Sequence, residues 1–190
     1  MQMLKDAILE RGKALNQDIL LVDSFLNHQV DVALMKAVGE TFAEHFANRS
    51  ITRVVTIESS GIAPASFTAL ALGLPLVIMK KQTSRILNGD LLQTTVRSFT
   101  KGTEYQLSVK HEFLNADDNI LLIDDFLASG EAAFGVITLA EQVGAKISGV
   151  GIVIEKAFQS GHKRLEDAGI DVYSLARIAS MSADRIEFVD

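Results

Sequence analysis

Four consecutive apolar residues at positions 120–123 are followed directly by Asp124 and Asp125 and then by a turn of small residues. An apolar run of this length, bounded by polar residues, is typical of a strand buried on both faces of a parallel sheet. From Glu131 the apolar residues recur at helical spacing as far as Gly144, which predicts a helix that ends there. The aspartates then lie at the C-terminal end of the strand, where open α/β sheets bind their ligands.

The turn between this strand and helix consists of Ala128, Ser129 and Gly130. Backbone N–H groups at a helix N-terminus are free to hold an anion, although the local pattern fits an ordinary capped loop equally well. The two preceding aspartates favour a ligand, because adjacent carboxylates at a buried strand end repel each other unless hydroxyl groups or a cation compensate them. A ribose 5-phosphate meets both requirements, with its phosphate on the turn and its 2- and 3-hydroxyl groups on the aspartates.

Composition limits the classes of function. The 190 residues suit one domain, or one domain with a modest subdomain. The 18 basic and 24 acidic residues give a net charge of −6, which argues against bulk binding of nucleic acid. Cysteine is absent and the four histidines lack the spacing of a zinc site. The N-terminus has no signal-peptide core, and no apolar run reaches membrane-spanning length. We therefore expect a soluble cytoplasmic protein with neither nucleic-acid nor membrane partners.

Strand and helix signals alternate between residues 53 and 155, which predicts an α/β fold with a mainly parallel sheet flanked by helices. The polar, basic stretch 80–104 is expected to form a mobile loop or a short hairpin, with 106–110 as its second arm. No repeat or linker divides the chain, so we expect one domain over residues 1–190. The predicted strands are 53–57, 74–79, 119–123, 147–156 and 171–176, and the predicted helices are 3–11, 31–47, 62–72, 131–143 and 160–168.

Two further strand ends carry polar residues that suit phosphate. The turn at 58–61 reads Glu-Ser-Ser-Gly, and Lys80 and Lys81 follow the next predicted strand. A helix cap and a pair of solvated charges are the commoner meanings of such residues. Beside a ribose-phosphate site, however, the turn can serve as a nest for a second anion and the lysines as diphosphate ligands.

These motifs resemble those of the purine phosphoribosyltransferase family over essentially the whole chain. LLIDDFLASGEA is similar to the family's signature for phosphoribosyl diphosphate, whereas VDSFLNHQ, TIESSGIAPA, GVGIVIEKAFQ and SLARI resemble bacterial members that use xanthine. The resemblance implies the type I phosphoribosyltransferase fold, with a flexible lid loop and a small hood formed by about residues 1–30 and 155–190. It also implies a cytoplasmic homodimer that uses phosphoribosyl diphosphate, with bound Mg²⁺, to convert xanthine to xanthosine 5-monophosphate in purine salvage.

The family's functional positions can be carried over residue by residue, although no metal ligand is assigned with certainty. The resemblance further implies a strained turn at 58–61, a loop in which relatives have a cis peptide bond that does not involve proline. It implies the following roles: Asp124 and Asp125 as catalytic residues; Ala128, Ser129, Gly130, Glu131, Ala132, Glu58, Ser59, Ser60, Gly61 and Lys81 as ligands of phosphoribosyl diphosphate; Leu20, Asn27 and Lys156 as ligands of xanthine.

The chain departs from the family pattern at two positions. Ala128 stands where hypoxanthine-guanine members carry an aspartate near N7 of the base, and Lys80 stands where relatives often have arginine. Two alternative functions stay open, namely a phosphoribosyltransferase for guanine or hypoxanthine and a regulator that senses phosphoribosyl diphosphate. The regulator would need an added DNA-binding module, for which no residues remain. Adenine is disfavoured, because its 6-amino donor would face the ammonium donor of Lys156.

Overall fold

A computed structural model describes residues 1–82, 90–98, 102–183 and 185–189. Most strands in this part of the chain join one eight-stranded sheet, and the first two form a separate pair. The strands are β1 (Lys13–Ala14), β2 (Leu20–Leu21), β3 (Arg53–Ile57), β4 (Leu76–Gln82), β5 (Leu91–Ser98), β6 (Thr103–Lys110), β7 (Asn119–Leu127), β8 (Lys146–Lys156), β9 (Val172–Ser182) and β10 (Arg185–Phe188). The helices are α1 (Gln2–Arg11), α2 (Val32–Phe46), α3 (Ile62–Leu72), α4 (Glu131–Val143) and α5 (Gly161–Asp167).

The large sheet has the order β10-β9-β8-β7-β3-β4-β6-β5. Its five central strands, from β9 to β4, are parallel, whereas β10 and the β5–β6 hairpin are antiparallel at the two edges. The parallel sheet with flanking helices confirms the predicted fold class. Because the strands are parallel, the C-terminal ends of β3, β4 and β7 meet at one edge of the sheet.

Strand β7 is buried on both faces, as its four apolar residues predict. Leu121 and Ile123 belong to one hydrophobic core with α1, α2 and α3, whereas Ile120 and Leu122 belong to a second core with α4 and the hairpin. Successive side chains of a strand point to opposite faces. The two cores therefore hold β7 from both sides, and its last residues project rigidly from the edge where the other strands end.

The predicted strand at 74–79 is displaced in the structure, because β4 begins at Leu76 and continues through Lys80 and Lys81. Those lysines pair with Ser108 and Leu107 of β6, so the hairpin extends the strand beyond its apolar part. The hairpin itself confirms one of the two forms expected for the stretch 80–104. The lid is expected over residues 82–105, and of these, residues 83–89 and 99–101 lie outside the described residues.

The N-terminal segment packs against the C-terminal strands, at the place expected for the hood. The terminal ammonium group donates a hydrogen bond of 2.7 Å to the carbonyl oxygen of Leu175, and α1 contacts β9. Residues Asp23–Asn27 form a single wide helical turn of the π type, in a segment whose irregular apolar pattern predicted neither helix nor strand. Within the described residues, no helix is long and apolar enough to span a membrane.

Candidate active site

A cleft of about 350 Å³ lies at the C-terminal ends of β3, β4 and β7. Six of its seven lining residues are polar or charged, although a ligand cleft is more often apolar. The lining brings together three of the predicted groups, which are distant in sequence. The residues are Ile57, Glu58, Ser59, Ser60, Lys81, Asp124 and Asp125.

Asp124 is only 8 % exposed at the floor of this cleft. Burial, the neighbouring charge of Asp125 and a hydrogen bond to Asp125 raise the pKa of Asp124 well above its usual value, and Lys81 opposes the shift. Its Oδ1 atom accepts a 3.0 Å hydrogen bond from the backbone N–H of Asp125. The hydroxyl of Thr56 is buried nearby without a hydrogen-bond partner among the described residues. The carboxyl groups of Asp124 and Asp125 and the hydroxyl of Thr56 are therefore poorly compensated at this floor. A ligand that brings positive charge or hydroxyl groups would stabilise them.

The 58–61 turn lies directly above this floor. The peptide bond between Glu58 and Ser59 is cis, which confirms the bond expected from the family resemblance. The Glu58 carboxylate accepts a 3.0 Å hydrogen bond from Lys80 Nζ and a 2.8 Å bond from the backbone N–H of Lys81. Lys80 and the backbone of Lys81 thus hold the Glu58 carboxylate at the end of β4. Ser59 and Ser60 of the same turn line the cleft.

Among the described residues that line the cleft, Lys81 supplies a positive charge, and Tyr105 from the hairpin lies beside it. The Lys81 ammonium lies 5.5 Å from the centre of the Tyr105 ring, within the range of a cation–π contact. Burial, followed by the charges of Asp124 and Glu131, raises the pKa of Tyr105 to about 12. The charges of Asp124 and Glu131 therefore act on Tyr105, whose side chain stays a neutral hydroxyl group at physiological pH.

The predicted phosphate loop, residues 128–132, turns into α4 through Gly130, whose φ of 87° favours glycine. The start of α5 packs against this loop, and the Gly161 N–H donates a 2.9 Å hydrogen bond to the Ala128 carbonyl. The Arg164 guanidinium donates to the carbonyl of Ser129 and, at 2.5 Å, to the Glu131 carboxylate. The Glu131 side chain thus points towards α5, as expected if only its N–H faces the phosphate.

The three residues predicted to bind the base do not line the cleft. Lys156, at the end of β8, donates a hydrogen bond to the backbone carbonyl of Asp18 and lies 5.6 Å from the ring centre of Phe126. Burial lowers the pKa of Lys156, and the charge of Asp18 partly opposes this shift. Leu20 is buried in β2, whereas Asn27 is exposed in the wide helical turn. Lys156 therefore contacts the N-terminal segment that carries the other two residues.

Residues 16–178 match the family model described as the phosphoribosyl transferase domain. The chain belongs to the phosphoribosyltransferase family. It is 58% identical over 189 residues to xanthine phosphoribosyltransferase 1 of Clostridium botulinum, with 100% of both chains covered. It is 52% identical over 190 residues to xanthine phosphoribosyltransferase of Listeria monocytogenes, covering 100% of this chain and 99% of the relative.

Solved structures of phosphoribosyltransferases share the fold. The adenine phosphoribosyltransferase of Thermoanaerobacter pseudethanolicus superposes with a TM-score of 0.76 at 18% identity, over 92% of this chain and 99% of that one. The Giardia lamblia enzyme complexed with 9-deazaadenine gives a TM-score of 0.78 at 24% identity, over 92% and 97% of the two chains. The type I phosphoribosyltransferase fold predicted from the sequence is confirmed, and the chain is an enzyme of this class.

Sequence reasoning missed two residues that contact the predicted site residues, namely Tyr105 beside Lys81 and Arg164 beside Glu131. Tyr105 falls in the sequence between the predicted loop and its arm at 106–110, and Arg164 falls in the helix predicted at 160–168, and neither pattern assigns a role to its residue. The alternating pattern at 106–110 indicates the second arm of a hairpin, but it gives no sign that Tyr105 lies near Lys81. Arg164 is 33 residues from Glu131, so only the packing of α5 on the phosphate loop brings the two together.

Proposed function

We propose that this chain transfers the 5-phosphoribosyl group from phosphoribosyl diphosphate to xanthine, giving xanthosine 5-monophosphate and diphosphate. The observation that carries the proposal is the cleft in which Asp124 and Asp125 face the 58–61 turn and Lys81. Full-length relatives named xanthine phosphoribosyltransferase support the choice of base. Assembly as a homodimer, a cytoplasmic location and a part in purine salvage belong to the same proposal.

The cleft has the charge distribution that the reaction requires. As diphosphate leaves, positive charge develops on the sugar ring and negative charge develops on the leaving group. Preorganised charges stabilise such a state most effectively where water is excluded. We assign Asp124 and Asp125 to the ribose hydroxyl groups, below the developing cation. The ammonium of Lys81 and the N–H groups of Ser59, Ser60 and Gly61 are assigned to the diphosphate.

The residues of the cleft also suit a Mg²⁺ ion that arrives with the diphosphate. Mg²⁺ usually keeps several waters and takes one or two carboxylates together with substrate phosphate oxygens, and Asp125 offers a half-buried carboxylate at the cleft wall. When bound, the ion would neutralise charge on the leaving diphosphate. Asp124 is the second candidate ligand, and the added positive charge would favour its ionised form.

The 5-phosphate is assigned to the N-terminus of α4. There the backbone N–H groups of residues 128–132 are available to an anion and the helix dipole favours negative charge. Gly130 in its left-handed conformation turns the backbone so that the loop closes without a bulky side chain. The position directly after β7 places this loop one short turn from Asp124 and Asp125, as one ribose 5-phosphate requires.

The base is assigned to the space between the end of β8 and the N-terminal segment. The ammonium of Lys156 donates to a carbonyl oxygen in the free protein, and a 6-oxo group of a purine is the same kind of acceptor. Asn27 is exposed and can offer its amide N–H₂ to the 2-oxo group that xanthine has and hypoxanthine lacks. Leu20 supplies a packing wall or a backbone group.

The proposal is tested by measuring diphosphate release with xanthine, guanine, hypoxanthine and adenine in turn. We expect xanthine to give the highest kcat/KM and adenine the lowest, since its 6-amino donor would face Lys156. Lys156 does not discriminate among the three oxopurines, which leaves guanine or hypoxanthine as the alternative substrate. A higher kcat/KM for either of these would replace xanthine, and absence of release with all four bases would refute the proposal.

A further inference from the structure

Arg164 connects helix α5 to two residues of the predicted phosphate loop, Ser129 and Glu131. Its Nη1 atom donates to the carbonyl of Ser129 and to the carboxylate of Glu131, and its guanidinium carbon lies 4.7 Å from the centre of the Phe134 ring. The side chain is 40% exposed and that of Glu131 is 22% exposed. Two hydrogen-bond acceptors and an aromatic face thus fix a cation directly behind the loop.

The backbone of α5 fixes Arg164 in this position. A Cβ atom on Gly161 would overlap the Ala128 carbonyl oxygen and would lie 2.9 Å from the Gly130 nitrogen. The backbones of the loop and of α5 are therefore in direct contact, and the Gly161 N–H donates to Ala128. Because Arg164 is one helical turn beyond Gly161, its side chain returns to the same loop.

Glu131 creates a difficulty for phosphate binding that this cation can remove. It is the first residue of α4, where a carboxylate interacts favourably with the helix dipole but repels a dianionic phosphate at the same helix end. Its charge contributes to the raised pKa of Tyr105, which lies beside Lys81. Without a partner, this carboxylate would weaken phosphate binding.

We propose that Arg164 is a positioning residue for the 5-phosphate, which neutralises the Glu131 carboxylate, turns it away from the phosphate and braces the loop through Ser129. This inference rests on the proposed function, because it assumes that residues 128–132 hold the 5-phosphate of the substrate. Arg164 itself does not contact the reacting atoms. Its effect falls on the affinity for the phosphorylated sugar and not on the affinity for the base.

The experiment measures binding of ribose 5-phosphate without base by calorimetry, together with steady-state kinetics. In Arg164→Gln, the dissociation constant for ribose 5-phosphate and the KM for phosphoribosyl diphosphate should rise about threefold to tenfold, the scale of one partly exposed charge pair. The KM for the base and kcat should stay within about twofold. Lys163→Gln is the matched control, because Lys163 is a cation on the same helix that is 78% exposed and pairs with Asp167.

If Arg164 acts by neutralising the Glu131 carboxylate, a second result is expected that a purely structural role would not give. Glu131→Gln in the Arg164→Gln background should restore at least half of the lost affinity on a logarithmic scale, because the repelling carboxylate is then gone. Glu131→Gln alone should bind ribose 5-phosphate at least as tightly as the parent protein. This single variant tests the proposal even if loss of Arg164 impairs folding.

Four results would overturn the inference. They are an unchanged affinity in Arg164→Gln, an equal loss in Lys163→Gln, a double variant as weak as Arg164→Gln alone, and weaker binding of ribose 5-phosphate in Glu131→Gln alone than in the parent protein. These results differ from a failure of the proposed function, which would appear in the parent protein as absence of phosphoribosyl transfer and of ribose 5-phosphate binding.

Discussion

Gly61 packs tightly against Thr56 and Asp124 at the floor of the cleft. A Cβ atom there would overlap the hydroxyl oxygen of Thr56 and would lie 3.0 Å from Oδ1 of Asp124 and 3.4 Å from the carbonyl oxygen of Ile57. Gly61 has φ −70° and ψ −14°, a conformation that alanine adopts freely. The substitution Gly61→Ala therefore tests only whether the site has room for the added methyl group, because it does not strain the backbone.

The neighbours have little room to move, because Thr56 is fully buried and Asp124 is 8 % exposed. Overpacking of a well-packed interior costs about 1–3 kcal/mol, and 1 kcal/mol lowers the Tm of a chain of this size by about 2–4 °C. We therefore expect a decrease of about 2–12 °C in Tm. Because the added methyl displaces the Asp124 carboxylate, kcat/KM should fall by roughly 10- to 100-fold, as expected for a catalytic group moved by up to 1 Å.

Calorimetry and diphosphate release together separate these two effects. Gly149→Ala on β8 is the matched control, since a Cβ there would lie 2.5 Å from the ring of Phe46, in the hydrophobic core and not in the cleft. It should lower Tm by a similar amount without a comparable loss of kcat/KM. In a Thr56→Ala background, Gly61→Ala should cost less stability, because the overlapping hydroxyl is absent. Parent-like Tm and kcat/KM in Gly61→Ala would contradict the packing argument.

Three further predictions concern the charges of the site. Asp124→Asn and Asp125→Asn should each lower kcat by the equivalent of roughly 2–4 kcal/mol of transition-state stabilisation, and parent-like turnover in both would remove the ribose assignment. Burial raises the pKa of Asp124, so the stability that its protonated form contributes is fully present below about pH 4 and is lost as the pH rises through the raised pKa. The Tm of Asp124→Asn should therefore exceed that of the parent protein by a margin that grows with pH. A margin that is independent of pH would disprove this. Asn27→Ala should weaken xanthine use by roughly 1–3 kcal/mol more than hypoxanthine use, whereas Lys156→Ala should weaken all oxopurines together; equal loss for all bases in Asn27→Ala would make Asn27 structural.

The sequence predicts most of the fold because its signals are local. β3 and α3 have the bounds that their apolar runs and the following Gly73 predict, and Gly73 ends α3 with a φ of 66°. β10 was not predicted, because it has only four residues and two of them are charged. Its pairing with β9 depends on tertiary contact and not on a local pattern.

The candidate site could be predicted only in part. Asp124, Asp125 and the 58–61 turn were identifiable because each follows an apolar run that ends at the same edge of a parallel sheet. Tyr105 and Arg164 reach the site from the hairpin and from α5, and no spacing in the sequence encodes those approaches. Leu20 and Asn27 came from family resemblance alone, since their segment has no regular periodicity.

The short connection between β8 and α5 gives this enzyme a fixed internal spacing. Lys156 ends β8, a hydrogen bond from the Gln159 N–H to the Lys156 carbonyl tightens the turn, and Gly161 already contacts the phosphate loop. Under the proposed assignment of Lys156 to the base and of residues 128–132 to the 5-phosphate, residues 157–160 set the distance between the two ends of the nucleotide. Substrate preference can diverge during evolution through the N-terminal segment, whereas an insertion in this connection would put the two ends of the nucleotide out of register.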